Sequence, residues 1–277
     1  MTKMNARIMT THLDRHGEQF PLSALQQIKK QIDKYIIPQG IDHDPRIQPI
    51  GRSLTAEVTK LKDGEYALDV LTEYFDDLET IEDIKDKELV INEYTLNDFE
   101  IRSDRNFRDE TDRHLIKEIS NILQCSKPPE EEIKKALEPL SIIWICGAFV
   151  LGGISSGFFN KIGSDAFDLL KSKLATLFSK RKEGEKEKLL AFDFTITNKK
   201  CNVEIILTNP TPDDIEKVMQ EGFNRLDKIL PKYFEIPTEK PIRKLVFENE
   251  NGEELKFKFG VRNDGIPFQV DWTIKKK

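Results

Sequence analysis

The chain has 277 residues, 43 Lys plus Arg against 49 Asp plus Glu, a net charge of −6 at pH 7 and 38% hydrophobic residues. That length suits two domains of ordinary size, and the mixing of both charge signs argues against the basic face of a general nucleic-acid binder, so no nucleic acid is expected as a partner. The three cysteines, Cys125, Cys146 and Cys201, are far apart and odd in number, which argues against a disulfide framework, and no CxxC offers a zinc site.

Residues 7–20 read as a short strand running into a loop. Pro21 opens a helix in which Leu22, Leu25, Ile28 and Ile32 recur at helical spacing. A Gly- and Pro-rich loop follows, then an alternating strand at 53–61, the turn signal Asp63-Gly64, and a returning strand at 65–75. Residues 88–101 read as one long or two short strands. Residues 102–113 are polar and lead into a helix at 111–123, with Leu115, Ile116, Ile119, Ile122 and Leu123 on one side. After Lys127-Pro128-Pro129, the acids Glu130, Glu131 and Glu132 sit where the first turn of a further helix would favour them.

Residues 139–160, PLSIIWICGAFVLGGISSGFFN, carry no charge. As a helix this stretch would be long enough for a hydrocarbon core of about 30 Å. Ala148, Gly152 and Ser156, and separately Gly153 and Gly157, recur every four residues, the small-residue pattern of close helix packing. Two readings stand side by side: membrane association or self-association through this helix, or a helix buried in the core. An amphipathic helix is expected at 165–180 and a charged linker at 181–188.

The C-terminal part begins with a hairpin, 189–197 and 202–208, turning near Asn198-Lys199-Lys200. Thr211-Pro212-Asp213-Asp214 is a strong helix start. Residues 244–260 form a hairpin with an Asn251-Gly252 turn, and 267–274 a last strand. The expected class is α+β: a β-rich N-terminal domain with one early helix (1–104), a helical linker (105–138), the apolar helix with the amphipathic helix (139–182), and a small ββαβββ domain (189–277) in which one helix covers a mainly antiparallel sheet.

Two constellations could carry chemistry. His12, Asp14 and His16 alternate, so on a strand they share a face, and His43 lies between Asp42 and Asp44. Histidine and carboxylate ligands suit Zn, Mn or Fe, which makes His12, His16 and His43 the candidate metal ligands. The alternative is that these residues are turn formers and local hydrogen-bond acceptors. Phosphate loops, dinucleotide glycines and nucleophile elbows are absent, and no cofactor is expected.

The second constellation comes with a likeness. Asp14, Gly17 and Glu18 form an early acidic turn, Pro21 and Leu25 lie on an apolar helix, His43 precedes Pro49-Ile50-Gly51, and Glu93 sits on a later strand-like segment. On these features residues 8–102 resemble the HK97-type phage prohead (capsid maturation) protease family. The resemblance implies His43 as catalytic base and Glu93 as its acidic partner. The nucleophilic serine that the family carries on a strand between them is missing. Ser53 follows Gly51-Arg52 too closely, and neither Thr80 nor Thr95 has a supporting context.

The leading expectation is a non-catalytic, bacterial or phage-related, membrane-associated binding or assembly protein, located in the cytoplasm or at the inner membrane. The alternatives are a peptidase or metal-dependent hydrolase using His43, and a fully soluble interaction protein.

Overall fold

A computed structural model describes residues 2–13, 19–75, 84, 86–107, 109–132, 140–179, 187–249 and 254–270. The fold class is α+β, and the chain divides into two units. Met1–Val90 with Val261–Phe268 make the first, and Ile91–Gly260 with Gln269–Lys277 the second.

In the first unit, β1 (Thr2–Thr10), β5 (Tyr66–Tyr74), β4 (Gly51–Lys60) and β3 (Pro38–Gln39) lie in the order β1-β5-β4-β3. The β4–β5 hairpin is the one expected, with Gly64 at φ 95° in its turn. Helix α1 (Leu22–Lys34) follows Pro21 and lays Leu25 and Ile32 on Ala56, Leu68 and Val70. Leu68 and Val70 are two apart on β5 and Ala56 of β4 is opposite Val70, so period 2 meets period 3.6 across one apolar seam. β2 (Tyr35–Ile36) and β6 (Glu88–Leu89) form a short parallel pair. On the first strand the expectation began too late, since β1 starts at Thr2.

The second unit is built on one sheet. Its strands are β7 (Phe99–Asp104), β8 (Glu130–Glu132), β9 (Leu140–Phe149), β10 (Glu187–Ile196), β11 (Cys201–Thr208), β12 (Ile242–Asn249) and β13 (Lys256–Arg262). They lie in the order β13-β12-β11-β10-β9-β7-β8. Helices α2 (Glu110–Ile122), α3 (Ile154–Ile162) and α4 (Ser164–Ser179) join the earlier strands, while α5 (Pro212–Lys217), a π turn (Val218–Gly222) and α6 (Phe223–Phe234) run on as one long helix. Thr211 and Asp214 form the reciprocal cap that the sequence announces.

Four expectations are corrected here. The central apolar helix does not exist: residues 140–149 are strand, 150–153 a turn and 154–162 a short helix. β9 pairs in parallel with β10 and antiparallel with β7, and it is buried along its whole length. A strand buried on both faces reads as a continuous apolar run rather than an alternation, so its periodicity resembles that of a buried helix. The small-residue stripe therefore falls apart. Ala148 is on β9, Gly152 (φ 80°) and Gly153 are in the turn, and only Ser156 and Gly157 are helical. Second, Glu130–Glu132 form an edge strand beside β7 instead of a helix start, and residues 133–139 lie outside the described residues. Third, the C-terminal order ββαβββ is kept, but β11–β12 and β9–β10 are parallel, so the sheet is mixed. Fourth, boundaries at 104, 138 and 182 cut through one sheet, because β7 and β9 are its interior strands.

One face of the second unit's sheet carries a set of aromatic ring pairs. Phe158 of α3 meets Phe99, Phe192 and Phe194, Phe223 of α6 meets Phe192 and Phe194, and Tyr233 of α6 meets Phe247. Helix α4 buries Phe167, Leu170, Leu174, Leu177 and Phe178, so the amphipathic helix spends its apolar stripe in the core. Its cations are engaged as well: Lys171 with Glu216 and Lys173 with Glu118. Among the described residues, no helix is long and apolar enough to cross a membrane. The Asn251-Gly252 turn, most of the linker 181–188 and residues 271–274 lie outside the described residues.

Candidate functional site

The densest chemistry lies on the face of the second sheet opposite the phenylalanines. Register places it there. Arg102 is opposite Trp144, Cys146 is opposite Asp193, Asp193 is opposite Glu204, and Thr195 faces Asn202, which faces Lys244. Directly opposed side chains share a face, so these residues from five adjacent strands converge.

Asp193 is the centre. Its Oδ2 accepts from Tyr94 OH at 2.5 Å, Asn92 Nδ2 at 2.7 Å and Arg102 Nη2 at 3.1 Å. The same Arg102 nitrogen reaches the Tyr94 oxygen at 2.8 Å, and Arg102 Nε donates to Cys146 Sγ at 3.3 Å. The guanidinium stands over the Trp144 ring at 5.5 Å. Asn202 ties in the preceding segment: its Oδ1 accepts from Asn92 N at 2.8 Å and its Nδ2 donates to Asn92 O at 2.9 Å. Lys244 Nζ lies 2.6 Å from Glu204 Oε2, and Trp144 Nε1 donates to Glu204 Oε1 at 3.4 Å.

The electrostatics follow from burial and like charge. Desolvation pushes the Asp193 pKa up, the facing Glu204 adds to this, and Arg102, Tyr94 and Lys244 pull the other way. Burial lowers Lys244, but Glu204 outweighs it and the ammonium is held above its ordinary value. Burial pushes the Cys146 thiol up to about 12, with Asp193 contributing, and drives the Tyr94 phenol well above its ordinary value. Both groups stay protonated near neutrality. A thiol in that state is a poor nucleophile, so the cluster holds two acids, two cations and two protonated donors, with Glu204 Oε2 paired to Lys244 Nζ by charge and making no hydrogen bond.

The residues singled out from the sequence lie elsewhere. His43 is exposed in a turn at φ 52°, next to Asp42 at φ 49°, and its ring has no hydrogen-bond partner among the described residues. Glu93 is exposed on the segment before β7. His43 belongs to the first unit and Glu93 to the second. Ser53 is fully buried on β4 and accepts from Gln39 Nε2 at 2.6 Å. Thr80, Asp14, His16, Gly17 and Glu18 lie outside the described residues. His12 Nε2 is 2.8 Å from Asp63 Oδ2, which lowers the pKa of that carboxyl. Among the described residues, no three His, Cys, Asp or Glu side chains come together as a metal site. Gly157 faces inward: a Cβ there would lie 2.7 Å from the ring of Phe149.

One signal for the cluster is present in the sequence. Asp193 stands between Phe192 and Phe194, and Glu204 between Val203 and Ile205. An acid inside a run of bulky residues on an interior strand must be paired. Comparison with protein-family models, with curated proteins and with solved structures finds no match.

Proposed function

We propose that the chain is a non-catalytic binding and assembly protein. The observation that carries this reading is the closed character of the cluster around Asp193. Arg102 and Lys244 neutralise Asp193 and Glu204, and the thiol and phenol beside them are held protonated. General acid–base or nucleophilic chemistry asks for a group poised near the working pH and aimed at a substrate. A network whose members use one another's hydrogen-bonding capacity instead rigidifies a sheet and fixes what its surroundings present. Residues 140–149 and 154–162 are spent on β9 and α3, so assembly is not assigned to a helix at 139–160.

The rival is a hydrolase built on His43. His43 and Glu93 are both exposed, so His43→Ala and Glu93→Gln leave folding intact. In cells that depend on the chain, the double variant should restore growth as the unaltered chain does. Loss of rescue, with an unchanged melting temperature, would overturn the non-catalytic reading in favour of the hydrolase.

A further inference from the structure

The second unit holds a cleft of about 560 Å³ that is separate from the Asp193 cluster. Such a volume falls within the roughly 300–1,000 Å³ of small-molecule sites. Arg113, Ile116, Lys117 and Ser120 line it from α2, where their spacing puts them on one face of the helix. The chain from Cys125 to Glu131, together with Phe107 and Ser103, supplies the rest of the lining. Ser103 is the unusual member. It alternates with Ile101 and Phe99 on β7, so it lies on the face where Phe99 meets Phe158. It is only 7% exposed, yet its hydroxyl has no hydrogen-bond partner among the described residues. A buried hydroxyl left in that state is unfavourable, and its bonding capacity is open to whatever occupies the cleft.

The charges of the lining are unevenly matched. Lys127 donates to Glu100 at 2.6 Å, and Glu130 acts on it as well. Arg113 lies 3.8 Å from Glu131. Lys117 has no ion-pair or hydrogen-bond partner among the described residues. Beside it, Phe107 and Ile116 are buried apolar side chains that still border the cleft. Cys125 is half-buried, and burial raises its pKa, so it borders the cleft as a protonated thiol and not as an attacking group. We infer that the cleft binds a small amphipathic carboxylate, whose anionic group meets Lys117 and accepts from the Ser103 hydroxyl while its apolar body lies on Phe107 and Ile116. One negative charge is what Lys117 leaves unmatched, whereas a phosphate dianion would meet Glu130 and Glu131 in the same lining. This rests on the non-catalytic binding reading above and gives it a ligand class.

The test uses the full chain and takes Cys125 as reporter, because Cys146 and Cys201 are fully buried. Benzoate and hexanoate are titrated to about 10 mM, since probes this small bind weakly. Each should slow alkylation of Cys125 by neutral iodoacetamide in a saturable way, and each should raise the melting temperature. Hexylammonium, of the same length and opposite charge, should do neither. Lys117→Gln, at an exposed position, should weaken carboxylate binding about two- to five-fold, the range of one exposed ion pair. Ser103→Ala should weaken it too without lowering the melting temperature of the free chain, because that hydroxyl has no partner to lose. Three results overturn the inference: hexylammonium acting as well as hexanoate, carboxylate binding unchanged in Lys117→Gln or in Ser103→Ala, or neither carboxylate altering labelling or melting. Each of them removes the carboxylate site alone; the non-catalytic reading stands or falls separately, on the His43 and Glu93 variant.

Discussion

Arg102 decides how the buried acids of the second unit are tolerated. It is 3.1 Å from Asp193 and largely buried with it. Removing one partner of a buried pair typically costs about 3–5 kcal/mol, because the other charge is left without compensation. Arg102→Met should therefore lower unfolding free energy by about 3 kcal/mol, at the lower end because part of the guanidinium meets solvent. The pH dependence has a definite sign. Asp193 already has a folded pKa above its unfolded value, so the folded state binds the proton more tightly and this group's contribution to stability falls as pH rises through that window. Taking away Arg102 raises the folded pKa further. The deficit of the variant should be larger at pH 8 than at pH 5 in urea unfolding; a deficit that shrinks with pH would show that Arg102 is not the counter-charge. Residue types alone signal paired acids here but do not name the partners. Asp193 and Glu204 look like the solvent side of an alternating hairpin, and what makes them interior is the pairing of β10 with β9 and of β11 with β12. The histidines drew attention because His-x-Asp-x-His resembles a ligand set, yet His12 is spent on Asp63 and His43 faces solvent.

At the scale of elements, α3 shows how little margin the second unit's core leaves. Its first two N–H groups, from Ile154 and Ser155, donate to the two oxygens of Asp227 on α6, at 2.9 Å each. Its Gly157 lies against the Phe149 ring of β9. Asp227→Ala should cost about 1–2 kcal/mol, the range of a lost helix cap. Gly157→Ala would gain up to about 1 kcal/mol in helix propensity, but the methyl would meet a buried ring at 2.7 Å. Overpacking of about 1–3 kcal/mol is the larger effect, so the variant should melt below the unaltered chain by thermal scanning. A small-residue face made for helix pairing would respond by losing association at unchanged stability, the opposite pattern. Where a segment has one buried and one wet face, its sequence was sufficient: α1, the β4–β5 hairpin, α2, α4 and the Thr211 cap lie where their spacing puts them. Where both faces are buried, as in β9, an apolar run carries no period to read. Three glutamates at Glu130–Glu132 favour a helix start by charge alone, but β7 offers them backbone partners in parallel register, and the ladder prevails.

The whole molecule departs from the sequence reading in its connectivity. Contiguous domains were expected, yet residues 261–268 return to the first unit after the chain has built the second. The returning segment is held by specific backbone acceptors. Arg52 Nη1 donates to Asp264 O at 2.7 Å, and Leu89 N donates to Asn263 O at 2.8 Å. Gly265 sits so close to Ile36 that a Cβ would lie 2.8 Å from its Cγ2. Arg52 is fully buried and its Nη2 pairs with Glu73 at 2.7 Å. A fragment ending at Val90 would take the Asp264 carbonyl away from that guanidinium and would uncover Ile36. Losing a hydrogen bond to a charged group costs about 1.5–3 kcal/mol, and lost cover over a fully buried isoleucine adds about 1–2 kcal/mol. Against a total of about 5–15 kcal/mol for an ordinary domain, and less for one of this size, that is enough to abolish cooperative folding. Residues 1–90 alone should therefore show no cooperative urea transition by circular dichroism. The same residues joined through a short Gly-Ser linker to 259–270 should show one. Equal midpoints for the two fragments would mean that Arg52 and Ile36 do not depend on the returning segment, and the first unit would then be an independent N-terminal domain after all.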